Sequence, residues 1–190
     1  MSTLVIVLRT VSLLAFAAPM LLLNGGGFPG KPGTRASEEV GGRAPVLTNF
    51  VAFGFFFPSL FIFAAGSDAA VALPLGLSGC VLALAGAALV LKSRAVLGPA
   101  WSLVPKSNQG LVTSGPYRLV RHPIYLGFAM LAAGQALAFG NWPALMVVLF
   151  GVVPTFAWRA HAEEKLLKRT FGERYAIYRQ RTKMILPHVL

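Results

Sequence analysis

Residues 71–91 read VALPLGLSGCVLALAGAALVL, a stretch without a single charged side chain. An α-helix needs about 20 consecutive apolar residues to cross the hydrocarbon core of a bilayer, and this stretch supplies them. Gly76, Gly79, Ala83, Gly86 and Ala87 place small residues at helical spacing along it, which in lipid lets two helix backbones approach closely. Four further stretches qualify as spans: about 4–23, 46–65, 124–140 and 142–158. The whole chain of 190 residues is 56% hydrophobic and only 12% charged, against about 25% charged in a soluble domain. The fold class expected is all-α: a polytopic membrane protein of about five transmembrane helices followed by a C-terminal cytoplasmic amphipathic helix.

Each span carries a local signature. Arg9 interrupts the first, where a long side chain reaches an interface by snorkelling. The apolar run before Ala15-Phe16-Ala17 is too short, and its charge is misplaced, for a cleaved signal sequence, so 4–23 reads as a retained helix. The second holds Phe53, Phe55, Phe56, Phe57, Phe61 and Phe63, with Pro58 as its kink. Gly140-Asn141 leaves room only for a tight turn between the fourth and fifth. Asn24–Pro45, rich in Gly and Pro, reads as a loop.

The formal net charge of +11 is concentrated in 92–122 and 159–183. Lys92, Arg94, Lys106, Arg118 and Arg121 lie in one connection, while 66–70 and 140–141 carry no Lys or Arg. The positive-inside rule puts 92–122 and the tail in the cytoplasm and, with five spans, the N-terminus outside. The basic balance therefore marks membrane topology and contact with membrane lipids. No basic helix or RNA-type motif stands apart from the spans, which argues against nucleic acid. Cys80 lies in an apolar stretch with no second cysteine, so an internal disulfide is impossible.

Polar residues gather in 109–125 and 159–183. Ser114-Gly115-Pro116 is a turn signal. Pro123 favours extended backbone at His122 and suits the first position of the fourth helix. That terminus attracts an anion, with Arg121 and His122 to reinforce it. Arg159 and Glu163 stand i,i+4 on one helix face at the membrane border, where ionisable groups are costly and often mark a site. Glu164 and Lys168 have the same spacing and read as an ordinary surface pair. Leu167, Phe171, Tyr175 and Tyr178 form an apolar stripe broken at Gly172, with Thr170 and Glu173 placed for a capping box. Such a basic helix lies on a bilayer surface or folds back as a lid. His161 and His188 read as isolated surface residues, and no ligand spacing for a metal is present.

Two patterns carry a resemblance. Leu111-Val112-x-x-Gly115-x-Tyr117-x-x-x-Arg121-His122-Pro123-x-Tyr125-x-Gly127 resembles the cofactor motif of the isoprenylcysteine carboxyl methyltransferase family. Glu163-Glu164-x-x-Leu167-x-x-x-Phe171-Gly172-x-x-Tyr175-x-x-Tyr178, closing with Pro187, resembles its C-terminal signature. The likeness covers roughly 95–190, in order and around the hairpin at Asn141. It implies N-terminal helices over 1–92 and a catalytic core over 93–190. It implies S-adenosyl-L-methionine as cofactor, contacted by Gln109, Gly110, Leu111, Val112, Tyr117, His122, Pro123, Ile124, Tyr125 and Glu163. The family often has His where Gln109 stands. Arg159 would hold the carboxylate of a lipophilic or prenylated acceptor and serve as the catalytic residue.

The chemistry is consistent with that set. A carboxylate nucleophile is already ionised, so transfer of a methyl from a sulfonium needs alignment, worth about 7–11 kcal/mol, rather than a general base. One Arg suits bidentate carboxylate recognition. Three other functions compete. A phospholipid amine methyltransferase would need a base, such as His122 or Glu163. An NADPH-dependent membrane reductase would need a larger basic pocket. A membrane scaffold would use the polar cluster only as a cap.

Overall fold

A computed structural model of the chain describes residues 3–24, 73–98 and 110–185. The expected span at 46–65, almost all of the 24–45 loop and Gln109 lie outside the described residues. The described part is helical throughout: α1 (Thr3–Asn24), α2 (Leu73–Leu97), a 3₁₀ turn (Gly115–Arg118), α3 (Pro123–Ala138), α4 (Trp142–Phe171) and α5 (Glu173–Arg181). One isolated parallel bridge pairs Val120 with Lys183. By length and composition, α2 and α4 can cross a membrane, whereas α3 and the Thr3–Ala17 part of α1 are shorter apolar helices.

The small residues of 71–91 act as their spacing suggests. A Cβ on Gly79 would stand 2.4 Å from the Ala138 nitrogen, and one on Gly134 2.5 Å from the Ala83 nitrogen. A Cβ on Gly86 would meet the Gly127 carbonyl at 2.6 Å. Helices α2 and α3 therefore touch backbone to backbone along two levels. Around this contact Ala83, Val90, Leu131, Ala132, Val148 and Val152 build the main apolar core. Helix α1 adds Ala15 and Phe16 to it. Gln135, fully buried on α3, donates to the Ser12 carbonyl at 3.3 Å. Arg9 donates to the Phe139 carbonyl at 3.4 Å and lies over its ring, so its charge is engaged by the α3–α4 turn rather than only by the interface. At that turn Gly140 adopts φ 64°, and the Asn141 side chain caps α4 by accepting from the Ala144 N–H at 2.9 Å.

Two expectations about the C-terminal half are corrected. The fifth span and the tail are not separate helices; α4 runs without a break through 158 to Phe171, about 45 Å of helix. Within it Val148–Val152 widens into a π-turn, and Val153 donates to the Val148 carbonyl. Pro154 explains the widening: it has no N–H to donate and its ring presses on the preceding turn. The capping box is also absent. Thr170 stays inside α4, and Gly172 itself, at φ 52°, turns the chain into α5 without a side-chain cap. A positive φ is open to Gly at little cost, which is why the break falls there.

The α2–α3 contact should tolerate no added volume. Gly134→Ala is expected to cost about 1–3 kcal/mol, read as a lower unfolding temperature of the detergent-purified protein. Gly151→Ala, whose new Cβ would find its nearest neighbour 3.9 Å away, should leave the midpoint unchanged or raised. Equal behaviour of the two variants would refute the close approach.

Candidate active site

The site forms where the turn at Gly115–Arg118 meets the start of α3 and the polar end of α4. Gly115, at φ 59°, bends the chain, and Pro116 and Tyr117 bury themselves behind it. Residues 120–122 then run beside 183–184: the Arg121 N–H donates to the Lys183 carbonyl at 2.8 Å and the His122 N–H to the Met184 carbonyl at 2.9 Å. Pro123 takes the first position of α3, as its lack of an N–H favours. His122, with ψ 60°, is less extended than a residue before proline usually is, because its N–H is tied to 184.

Four of the sequence-predicted residues come together. The Tyr125 hydroxyl donates to Glu163 Oε1. Arg159 Nε donates to the same oxygen at 3.2 Å, with the guanidinium carbon 5.7 Å from the Tyr125 ring centroid. His122 Nδ1 stands 3.6 Å from Glu163 Oε2. The rings of His122, Tyr125 and Phe156 stack in a row, at 5.6 Å and 5.2 Å between centroids. Glu163 keeps 26% of its side chain exposed, so its carboxylate is open to a ligand. Tyr117 is buried against this group, and burial, with the nearby Tyr178 and Glu163, raises its phenol well above the ordinary value. Pro123 and Ile124 are buried at the head of α3, Ile124 within the apolar core. Gly110, Leu111 and Val112 precede the turn as irregular chain, Gly110 exposed and the other two half-buried. None of these three joins the polar cluster.

A second layer was not visible as such in the sequence. Glu164, expected as a surface partner of Lys168, is buried and accepts from Arg121 Nε at 2.6 Å. Arg121, expected to reinforce an anion site, is instead spent on Glu164 and on the carbonyls of Thr182 and Arg179. His122 Nε2 stands 3.7 Å from Glu164 Oε1 and, although buried, has no hydrogen-bond partner among the described residues. Tyr178 on α5 donates to the Tyr117 carbonyl at 2.7 Å. Burial pushes its phenol up to about 12 against the pull of Arg121, so it stays a neutral donor. Helix α5 therefore folds back onto the turn at Gly115–Arg118. The signal in the sequence is the pair of doublets, Arg121-His122 and Glu163-Glu164. Neighbours on a helix point about 100° apart, so one carboxylate faces Tyr125 and Arg159 while the next faces Arg121.

A family model described as phospholipid methyltransferase matches residues 75–174, over half of the chain. The chain belongs to the phospholipid methyltransferase family. Among its relatives, a protein-S-isoprenylcysteine O-methyltransferase of Saccharomyces cerevisiae is 30% identical over 139 residues, 71% of this chain and 57% of that protein. Protein-S-isoprenylcysteine O-methyltransferase B of Arabidopsis thaliana is 38% identical over 86 residues, covering 44% and 43%. A Schizosaccharomyces pombe enzyme of the same name is 35% identical over 77 residues, covering 40% and 33%. The chain thus spans between a third and three fifths of the length of these relatives. The resemblance to isoprenylcysteine carboxyl methyltransferases carried by the two motifs is borne out. The matched segment of this phospholipid methyltransferase family member includes the turn, the α3–α4 hairpin and both carboxylates.

The Arg121–Glu164 contact sets a pH window. Glu164 lies about 33 Å along α4 from Trp142, beyond a hydrocarbon core of about 30 Å. Burial alone would raise its pKa, but the neighbouring His122 and Arg121 outweigh burial and lower it from 4.5 to about 2. A depressed carboxyl stabilises the fold fully above its unfolded value and loses that contribution as pH falls through the folded one. Glu164→Ala should therefore cost about 3–5 kcal/mol at neutral pH by leaving Arg121 unpaired. The gap to wild type should close between pH 4.5 and about 2, measured by unfolding across a pH series. A gap independent of pH over that range would exclude the charge as its cause.

Proposed function

We propose that this protein is an integral, multi-pass membrane methyltransferase with about five spans and its site at the cytoplasmic face. It transfers a methyl group from S-adenosyl-L-methionine to a lipophilic acceptor, the carboxylate of an isoprenylcysteine-like molecule. The observation that carries this reading is the cluster at the border of α4: one accessible carboxylate, Glu163, shared by Tyr125 and Arg159 beside His122. The names of the relatives supply the reaction class, and the core over 93–190 is the proposed catalytic unit.

The residues present fit the cofactor. Glu163 offers an anionic oxygen to an ammonium, and the buried His122 Nε2 has no hydrogen-bond partner among the described residues. Glu163 and His122 would hold the amino-acid end, with Tyr117, Pro123, Ile124 and Tyr125 walling the rest. S-adenosyl-L-methionine supplies a methyl on a sulfonium whose positive charge is lost on transfer. Arg159, tied to Glu163 through its Nε, would orient an acceptor carboxylate with the rest of its guanidinium fork. Removal of water at this border strengthens each of these contacts. No proton has to move from an ionised carboxylate.

A second reading rests on His122, which is flanked by two carboxylates and so is placed to accept the proton of an amine. Phospholipid N-methylation would then show a rate that falls with acidity, because the proton acceptor must be free. A carboxylate acceptor gives no such fall. Turnover on a prenylated thioether acid and on phosphatidylethanolamine, each across pH, separates the two.

The roles of Glu163 and Arg159 separate by binding and rate. Glu163→Ala is expected to weaken S-adenosylhomocysteine binding at least about tenfold, a loss of about 1.4 kcal/mol. Arg159→Ala should keep binding within about threefold while turnover drops roughly a hundredfold. Calorimetry on the detergent-purified full chain reads the first and product formation the second. Equal loss of binding in both variants would defeat this division, and no binding by folded wild type would defeat the methyltransferase reading.

A further inference from the structure

Helix α4 and α5 enclose a cleft of about 380 Å³ on the side away from Glu163, lined by Lys168, Tyr175, Ala176, Arg179 and Gln180. The Lys168 charge in this cleft is unpaired for a structural reason. Glu164, one helical turn before Lys168, is drawn inward by Arg121, so Lys168 has no ion pair or hydrogen bond among the described residues. Arg179 reaches Glu164 only at 3.7 Å and keeps 59% of its side chain exposed. Tyr175 lines the same cleft, and its buried hydroxyl has no hydrogen-bond partner among the described residues. Around it, residues 165–183 hold Lys165, Lys168, Arg169, Arg174, Arg179, Arg181 and Lys183 against only Glu173 as an exposed acid.

The depth of the cleft matches a headgroup. Trp142 and Trp158 are both exposed, about 24 Å apart along α4, the places of interfacial aromatic belts. Lys168 follows about 15 Å beyond Trp158. Side chains on a helix lean toward its N-terminus, so the long Lys168 stem leans back toward the bilayer. We propose that this cleft binds the phosphate of an anionic membrane lipid, with Lys168, Arg179 and Gln180 as donors and the Tyr175–Ala176 side as the wall for the glycerol. This site stands apart from methyl transfer and does not depend on it.

Unfolding of the detergent-purified full chain is followed against dioctanoyl phosphatidylglycerol, dioctanoyl phosphatidylcholine and inorganic phosphate. Phosphatidylglycerol is expected to raise the midpoint saturably, more than phosphatidylcholine does. Lys168→Gln should weaken its apparent affinity about tenfold, the worth of one charge-assisted hydrogen bond. Lys168→Arg should restore most of it, and Lys165→Gln, off the cleft, should change nothing. Equal stabilisation by phosphatidylcholine or by inorganic phosphate, an equal loss in the two Gln variants, or no saturable effect would each overturn the proposal.

Discussion

One buried cation organises this end of the molecule. Arg121 offers its guanidinium to Glu164 on α4, to the carbonyl of Arg179 in the last turn of α5 and to that of Thr182 just past it. Three segments far apart in sequence meet on that group. A charge held this deep is tolerated only when its donors are matched, so the pairing fixes register as well as position. His122, Pro123 and Tyr125 follow directly in the chain, and the backbone bonds from 121 and 122 to 183 and 184 extend the same alignment. The catalytic-looking cluster thus borrows its geometry from a neighbour that does not belong to it.

The apolar helices contribute rigidity. Gly79, Gly86, Gly127 and Gly134 bring α2 and α3 into backbone contact, and the dense packing around Leu131 and Val90 leaves α3 little freedom to shift. The first turn of α3 carries Tyr125 and the last polar turns of α4 carry Arg159 and Glu163. The site therefore sits on helices rather than on loops, which suits chemistry that depends on alignment more than on proton transfer.

Much of this was legible in the residues. The apolar stretches predicted helices α1, α2, α3 and the start of α4, and small residues at helical spacing predicted close packing. Pro123 marked the start of α3, and Gly140-Asn141 its turn into α4. What was not legible has physical reasons. The change from apolar to charged residues after Trp158 looks like an element boundary, yet a helix continues through it because nothing there breaks backbone hydrogen bonding. Thr170 and Glu173 carry a capping pattern, but Gly172 reaches a positive φ at lower cost and sets the break. Glu164 fits a surface pair by local spacing, and only its contact with Arg121, 43 residues away, draws it inside. Local pattern reads local structure; partners remote in sequence need the fold.

The unbroken course of α4 carries one more consequence. The segment that fits the hydrocarbon and the turn that bears Arg159 and Glu163 form a single lever. Helices answer a thinner or thicker bilayer chiefly by tilting, and a tilt of α4 swings its polar end relative to Tyr125 on α3. The π-turn at Val148–Val152 is the natural point of give along that lever, while the Arg121–Glu164 tie resists at the far end. For the proposed membrane enzyme, bilayer thickness would then be a mechanical input to the spacing of the groups around Glu163.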